Sequence, residues 1–256
     1  MSSELKVALV QSHLLWENPE ANRAMFDKKI ATISADTDLI VLPEMFTTGF
    51  TMNPEKIGVE EKTKTIEWMH EWATKKNAAL VGSIVNPEKN TFYNRLWFVQ
   101  PEGKSSYDKR HTFTLAGEDK VYARGEKRLL ESFRGFTFCP LICYDLRFPV
   151  WARYAADYDV LVYVANWPKP RIAAWDALLK ARAIENMAYC IGVNRIGLDN
   201  SGHEYSGHSA VYDSLGDRIA YSEKEETIYT TLSKDHIKTT RDKLKFLEDR
   251  DAFTLK

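Results

Sequence analysis

The chain has 256 residues, 44% of them apolar, which is enough to bury a full core without disulfides or metal ions. Lys and Arg number 35 against 36 Asp and Glu, so a net charge of -1 gives no electrostatic reason to expect nucleic acid or an anionic membrane and leaves a small molecule as partner. Cys139, Cys143 and Cys190 cannot all pair within one chain, which argues against a secreted disulfide framework and for a reducing cytoplasm.

Met1 to Gln11 carries Glu4 and Lys6 around a short apolar run, Val7 to Val10, with neither a signal-peptide core nor an A-x-A-like cleavage site. No uninterrupted apolar stretch approaches membrane-spanning length. Val7 to Val10 predicts a strand, and Asn18-Pro19 followed by Phe26, Ile30 and Ile33 predicts a helix. Leu39 to Leu42 is a continuous apolar run closed by Pro43, as in a strand buried on both faces, so Glu44 falls just past a strand end. Ile66, Met69 and Ala73 mark a second helix leading to a strand at Ala79 to Val85. Arg95 to Gln100 and Ser105 to Lys109, separated by Pro101-Glu102-Gly103-Lys104, predict a hairpin. Phe136 to Ile142 predicts a strand, with a helix from Pro149 to about Ala156, so Cys143 falls at a strand-to-helix junction. Val160 to Ala165 repeats that design, followed by Asn166-Trp167-Pro168, a helix from Ala173 to Met187 and a strand at Tyr189 to Val193. Short strands follow at Ser209 to Tyr212, Arg218 to Tyr221 and Thr227 to Leu232, then a polar helical segment from Lys234 to Lys245. The alternation implies α/β architecture, with helices covering mixed sheets in one domain over residues 1–256 and a C-terminal tail from about 234.

Glu44, Lys109 and Cys143 sit at or beside strand ends, where open α/β sheets place their ligands. A cysteine at a strand-to-helix elbow feels the positive helix N-terminus, and a nearby lysine favours the thiolate further. A carboxylate beside it can take the thiol proton, protonate a leaving amine and then deprotonate the water that cleaves a thioester. The lysine and the backbone N–H of Tyr144 can both face the oxyanion of a tetrahedral intermediate. Singly, each residue has a plain structural explanation: buried cysteines are small hydrophobes, and a lone Glu or Lys near a strand is a solvated charge.

The local sequences around all three go further. LPEMFTTGF (42–50), YDKRHTFTLAGED (107–119) and LICYDLRFP (141–149) resemble, in order, the three catalytic motifs of the carbon-nitrogen hydrolase (nitrilase-like) superfamily, and together with VANWPKPR they are most similar to its omega-amidase branch. The resemblance runs from the first strand to about residue 233. It implies a four-layer αββα sandwich with mixed β-sheets, a homodimer, no cofactor and no metal. It also implies Cys143 as nucleophile, Glu44 as general base, Lys109 as oxyanion-stabilising lysine and Glu118 as a second glutamate that orients the lysine and substrate.

The implied reaction is hydrolysis of the terminal amide of 2-oxoglutaramate or 2-oxosuccinamate to the acid and ammonia. Such a substrate needs a cation for its distal carboxylate, and Arg147 and Arg171 are the candidates. Phe46, Phe113, Tyr144 and Trp167 are expected to wall the pocket. Rival readings keep the fold and change the substrate to a nitrile or an N-carbamoyl amide, or make the chain a non-catalytic binding module. A metal or redox site built on Cys139, Cys143, His203 and His208 lacks the spacing of a closed zinc centre.

Overall fold

A strand reads as an unbroken apolar run only when both of its faces are covered, and the chain uses Leu39 to Leu42 and Val160 to Ala165 in that way: every residue of both is buried. The computed structural model describes residues 3–154 and 157–254. In chain order come β1 (Glu4–Gln11), α1 (Pro19–Ala31), β2 (Leu39–Val41), α2 (Val59–Lys76), β3 (Ala79–Glu88), β4 (Thr91–Gln100) and β5 (Gly103–Asp108). The second half brings β6 (Glu131–Phe133), β7 (Phe136–Ile142), α3 (Pro149–Ala152), β8 (Val160–Ala165), α4 (Ile172–Asn186) and β9 (Tyr189–Asn194). It closes with β10 (Ile196–Leu198), β11 (Glu204–Ser206), β12 (Ser209–Tyr212), β13 (Arg218–Ser222), β14 (Glu226–Ser233) and α5 (Lys234–Leu244).

Two sheets share one plan. The first has the order β14-β1-β2-β3-β4-β5 and the second β13-β12-β9-β8-β7-β6. In each, three central strands run parallel, β1-β2-β3 and β7-β8-β9, and the outer strands are antiparallel. Period-two alternation sorts the side chains of the first sheet. Leu5, Val7, Leu9, Leu39, Val41, Val81 and Phe98 enter the core between the sheets, where the Phe98 and Phe138 rings lie 5.3 Å apart. Ala8, Val10, Ile40, Leu42 and Leu80 face the other way, onto Phe26 and Ile30 of α1 and Ile66, Met69 and Ala73 of α2. Trp175, Leu179 and Ala183 of α4 cover the outer face of the second sheet, so helices and sheets stack as αββα.

Local signals account for the helix ends. Asn18 caps α1 by accepting from the backbone N of Ala21 at 3.1 Å, with Pro19 in the first turn. The helix expected from Pro149 stops at Ala152, and its expected end at Ala156 lies outside the described residues, as do Met1, Ser2, Leu255 and Lys256 of the expected domain and tail. The three-residue strands β6, β10 and β11 are too short to have left a periodic pattern. Among the described residues no helix is long and apolar enough to cross a membrane.

Gly192 of β9 lies directly beneath α4. A Cβ added there would sit 2.4 Å from Leu179 Cδ1 and 2.7 Å from Trp175 Cζ2. Gly192→Ala should therefore overpack this layer and destabilise the protein by about 1–3 kcal/mol. Thermal unfolding followed by circular dichroism reads this directly, and an unchanged midpoint would mean that α4 is not seated on β9 as described.

Candidate active site

Three strand ends converge on one buried cluster. The chain leaves β2 through Leu42-Pro43 and delivers Glu44, which is fully buried. Lys109 follows β5, held by its backbone N on Asn94 O at 3.0 Å and by Gly125 N on its carbonyl at 2.9 Å. Gly125 is required there, since a Cβ would fall 2.0 Å from Asp108 O. Cys143 follows β7 with φ at +41°, in the left-handed region that non-glycine residues rarely occupy.

Lys109 Nζ donates to Glu44 Oε1 at 2.8 Å and to both Glu118 oxygens at 3.0 and 2.9 Å. Asn94 Nδ2 bridges the same two carboxylates at 2.8 and 3.2 Å, and its Oδ1 accepts from Ser83 Oγ at 2.9 Å. Glu44 Oε2 accepts from the backbone N of Asn166 at 2.8 Å and from its Nδ2 at 3.3 Å. Every hydrogen-bond partner of the Glu44 oxygens named here is a donor, so the side chain is held as an acceptor. Burial works against the Lys109 charge, but Glu118 and Glu44 outweigh it and raise its pKa, so the ammonium keeps its proton. Burial raises the pKa of Glu118, with Lys109 opposing and Glu44 adding to the rise.

The surroundings of Cys143 run against the expected thiolate. Burial, and then the charge of Glu44, push the Cys143 thiol well above its ordinary pKa, and Lys109 offsets this only in part. The helix expected to favour the anion gives it little, because Cys143 opens a five-residue 3-10 turn, Cys143–Arg147, and α3 beyond it has four residues. Burial and the Glu44 charge thus favour the protonated thiol at rest.

The cluster opens into a cavity of about 520 Å³. Phe113, Tyr144, Arg147, Trp167 and Arg171 line it as expected, but Phe46 does not. Met45 takes a left-handed turn with φ at +45°, and Phe46 packs among the helices of the first sheet, 5.6 Å from Phe26 and 5.8 Å from Trp68 between ring centroids. Arg147 lies over the Trp167 ring at 4.8 Å and Arg171 over the Phe113 ring at 5.3 Å. Among the described residues neither guanidinium has a carboxylate partner.

Sequence reasoning missed Asn94 and Asn166, which hold the carboxylates, Ser83, which holds Asn94, and the β10–β11 hairpin, which adds Asp199, Ser201, His203 and Tyr205 to the cavity wall. Asn166 carried a usable signal, since it follows a buried strand as Glu44 does. The rival metal set is dispersed: Cys139 is buried in the core, His203 pairs with Asp199 at 3.1 Å, and His208 pairs with Asp176 at 3.0 Å. Among the described residues no group of three or more His, Cys, Asp or Glu is arranged to hold a metal ion.

Known proteins are similar to this chain from end to end. The carbon-nitrogen hydrolase family model matches residues 6–242. Omega-amidase YafV of Yersinia enterocolitica is 42% identical over 256 residues, covering 99% of both chains. A 2-oxoglutaramate amidase of Bacillus subtilis is 32% identical over 228 residues, 87% of this chain and 88% of that one. The crystal structure of a CN-hydrolase superfamily protein of Xanthomonas campestris, with an arsenic adduct in its active site, superposes with a TM-score of 0.96 at 35% identity over 100% of both chains. With a match of this extent in sequence and in fold, the chain belongs to the carbon-nitrogen hydrolase family, within its omega-amidase branch.

Proposed function

We propose that the protein hydrolyses the terminal carboxamide of a small 2-oxo dicarboxylic monoamide, 2-oxoglutaramate or 2-oxosuccinamate, through a thioester on Cys143. The observation that carries this reading is the buried contact of Lys109 Nζ with Glu44 and Glu118 at 2.8–3.0 Å, beside the Cys143 thiol. A neutral thiol needs a base at the moment of attack, and Glu44, whose charge acts on it across the site, takes that proton as Sγ bonds to the amide carbon. The negative charge then forms on the carbonyl oxygen, where the Lys109 ammonium and the Tyr144 N–H stabilise it. Glu44 returns the proton to the amide nitrogen and ammonia leaves. Water attacks the thioester, Glu44 accepts the water proton, and the acid departs as Cys143 regains its hydrogen. Glu118 keeps Lys109 protonated and aimed throughout.

The two arginines, without a carboxylate partner among the described residues, support an anionic substrate. Held on aromatic faces instead of on carboxylates, they keep their charge available to the distal carboxylate of the substrate, which a planar guanidinium binds through two parallel hydrogen bonds. The name of the Bacillus subtilis relative supports 2-oxoglutaramate. One domain over the whole chain is consistent with a site assembled from both sheets. Three reduced, buried cysteines favour a reducing cytoplasm. A homodimer is what the family resemblance implies, and exposed Val150 on α3 and Ile184 on α4 are apolar groups that pairing through those helices would cover. Native mass measurement should return twice the chain mass, and a monomer would remove the dimer from the reading.

Incubation with 2-oxoglutaramate should release ammonia in the parent and none in Cys143→Ala. Unchanged turnover in the variant would end the thioester mechanism, and an inactive parent would end the substrate assignment. The same pair of proteins reads the thiol: at neutral pH their difference spectrum should lack the thiolate band, and its presence would contradict the neutral resting state. Replacing the arginine that binds the carboxylate, tested as Arg147→Met and Arg171→Met, should raise KM for 2-oxoglutaramate about 10- to 100-fold, the worth of a charged hydrogen bond. A neutral monoamide serves as control, and no KM change in either variant would remove the arginines from recognition.

A further inference from the structure

Lys109 and Cys143 stand on different sheets, one beyond the edge strand β5 and the other beyond β7. Ammonium and sulfur serve one reaction only if those strand ends keep a fixed separation, since a displacement of about 1 Å can cost on the order of a hundredfold in rate. One buried side chain that touches neither reacting group ties the two ends together.

That side chain is Asp145, fully buried in the turn after Cys143. Its Oδ1 accepts from the backbone N of His111 at 2.9 Å and meets His111 Nδ1 at 2.8 Å. Its Oδ2 accepts from the Tyr107 hydroxyl at 2.8 Å and from the backbone N of Ile142 at 3.0 Å. Tyr107 and His111 are the second neighbours of Lys109 on either side, and Ile142 immediately precedes Cys143. One carboxylate thus brackets the lysine and clamps the residue before the nucleophile. The Tyr107 oxygen is itself fixed, accepting from Trp151 Nε1 at 2.9 Å and from the backbone N of Arg110 at 3.1 Å. A carboxylate suits four donors because it offers only acceptor sites, whereas an amide would turn N–H against N–H.

The backbone at Cys143 is an independent sign. Its φ of +41° is a strained value that persists only where surrounding contacts over-determine it, and the bond from Ile142 N to Asp145 closes that turn.

We propose that Asp145 is a positioning residue: it sets the separation of the Lys109 ammonium and the Cys143 sulfur through Tyr107, His111 and Ile142, without contacting substrate. The proposal rests on Glu44, Lys109 and Cys143 being the reacting groups. His111 separates positioning from packing, because its ring also stacks on Phe148, with centroids 3.9 Å apart. His111→Ala removes both contacts, while His111→Asn restores a side-chain donor toward Asp145 without restoring the stack.

Two readouts are taken on the full chain: the rate of Cys143 alkylation by iodoacetamide, and kcat and KM on 2-oxoglutaramate. Alkylation and kcat should fall about tenfold or more in His111→Ala, recover to within about threefold in His111→Asn, and fall about a hundredfold in Asp145→Asn, with KM held within about threefold throughout. Equal losses in the two His111 variants, or losses confined to KM, would overturn the proposal in favour of packing. Should Asp145→Asn fail to fold, the His111 pair carries the test alone. A parent that turns over no 2-oxoglutaramate but shows this alkylation pattern would sustain the positioning role and sink the substrate reading. Wild-type alkylation in every variant, beside a parent that turns over 2-oxoglutaramate, would sink the positioning role and sustain the substrate reading.

Discussion

Everything at the site depends on one ammonium buried between two carboxylates. Lys109 is 1% exposed, Glu44 and Glu118 not at all, and the three meet at 2.8–3.0 Å. Burying such charges costs several kcal/mol per ion and is tolerable only when the remaining lone pairs and protons are satisfied. Here they are: Asn94 bridges the carboxylates, Asn166 fills the second Glu44 oxygen, and the backbone N of Phe113 donates to Glu118. Removing one member would leave an uncompensated charge, typically about 3–5 kcal/mol destabilising. The triad is therefore a constraint on stability as well as on chemistry.

The architecture explains how residues 44, 109, 118 and 143 come to share one volume. Both sheets are built around three parallel strands, and parallel strands deliver their carboxyl ends to the same edge. Glu44 leaves β2 of one sheet, while Cys143 leaves β7 and Asn166 leaves β8 of the other. Lys109 comes from an antiparallel strand, β5, at the sheet edge. Its location depends on bonds beyond the ladder, through Asn94, Gly125 and the groups gathered by Asp145.

Much of this was legible in the sequence because the buried strands are too apolar to be anything else. Leu39 to Leu42, Phe136 to Ile142 and Val160 to Ala165 each announce a strand and, by their ends, the edge where a site can form. Which way a side chain turns after a strand was not legible. Phe46 lies two residues beyond Glu44, yet the left-handed turn at Met45 sends it to the helices. Ser83 and Asn94 sit inside strands, and their polar roles emerge only from the pairing of β3 with β4, where Val85 faces Asn94 and Ser83 faces Leu96. The state of the thiol was not legible for a related reason: sequence proximity to a helix said nothing about the depth of burial or the nearby carboxylate.

That neutral thiol changes how charge moves through the proposed reaction. With Glu44 and Glu118 counted as carboxylates and Lys109 as an ammonium, the triad carries one net negative charge at rest. When Glu44 takes the thiol proton and sulfur bonds to carbon, the negative charge passes from the carboxylate to the carbonyl oxygen, and the net charge stays the same. The buried volume need not absorb a new ion at the transition state, and Lys109 exchanges one anionic neighbour for another. A resting thiolate would add a second negative charge to the same volume before substrate arrives, in a medium that screens poorly. The distal carboxylate of the proposed substrate poses that difficulty again, and Arg147 and Arg171, which lie over aromatic rings with no acid partner among the described residues, would answer it.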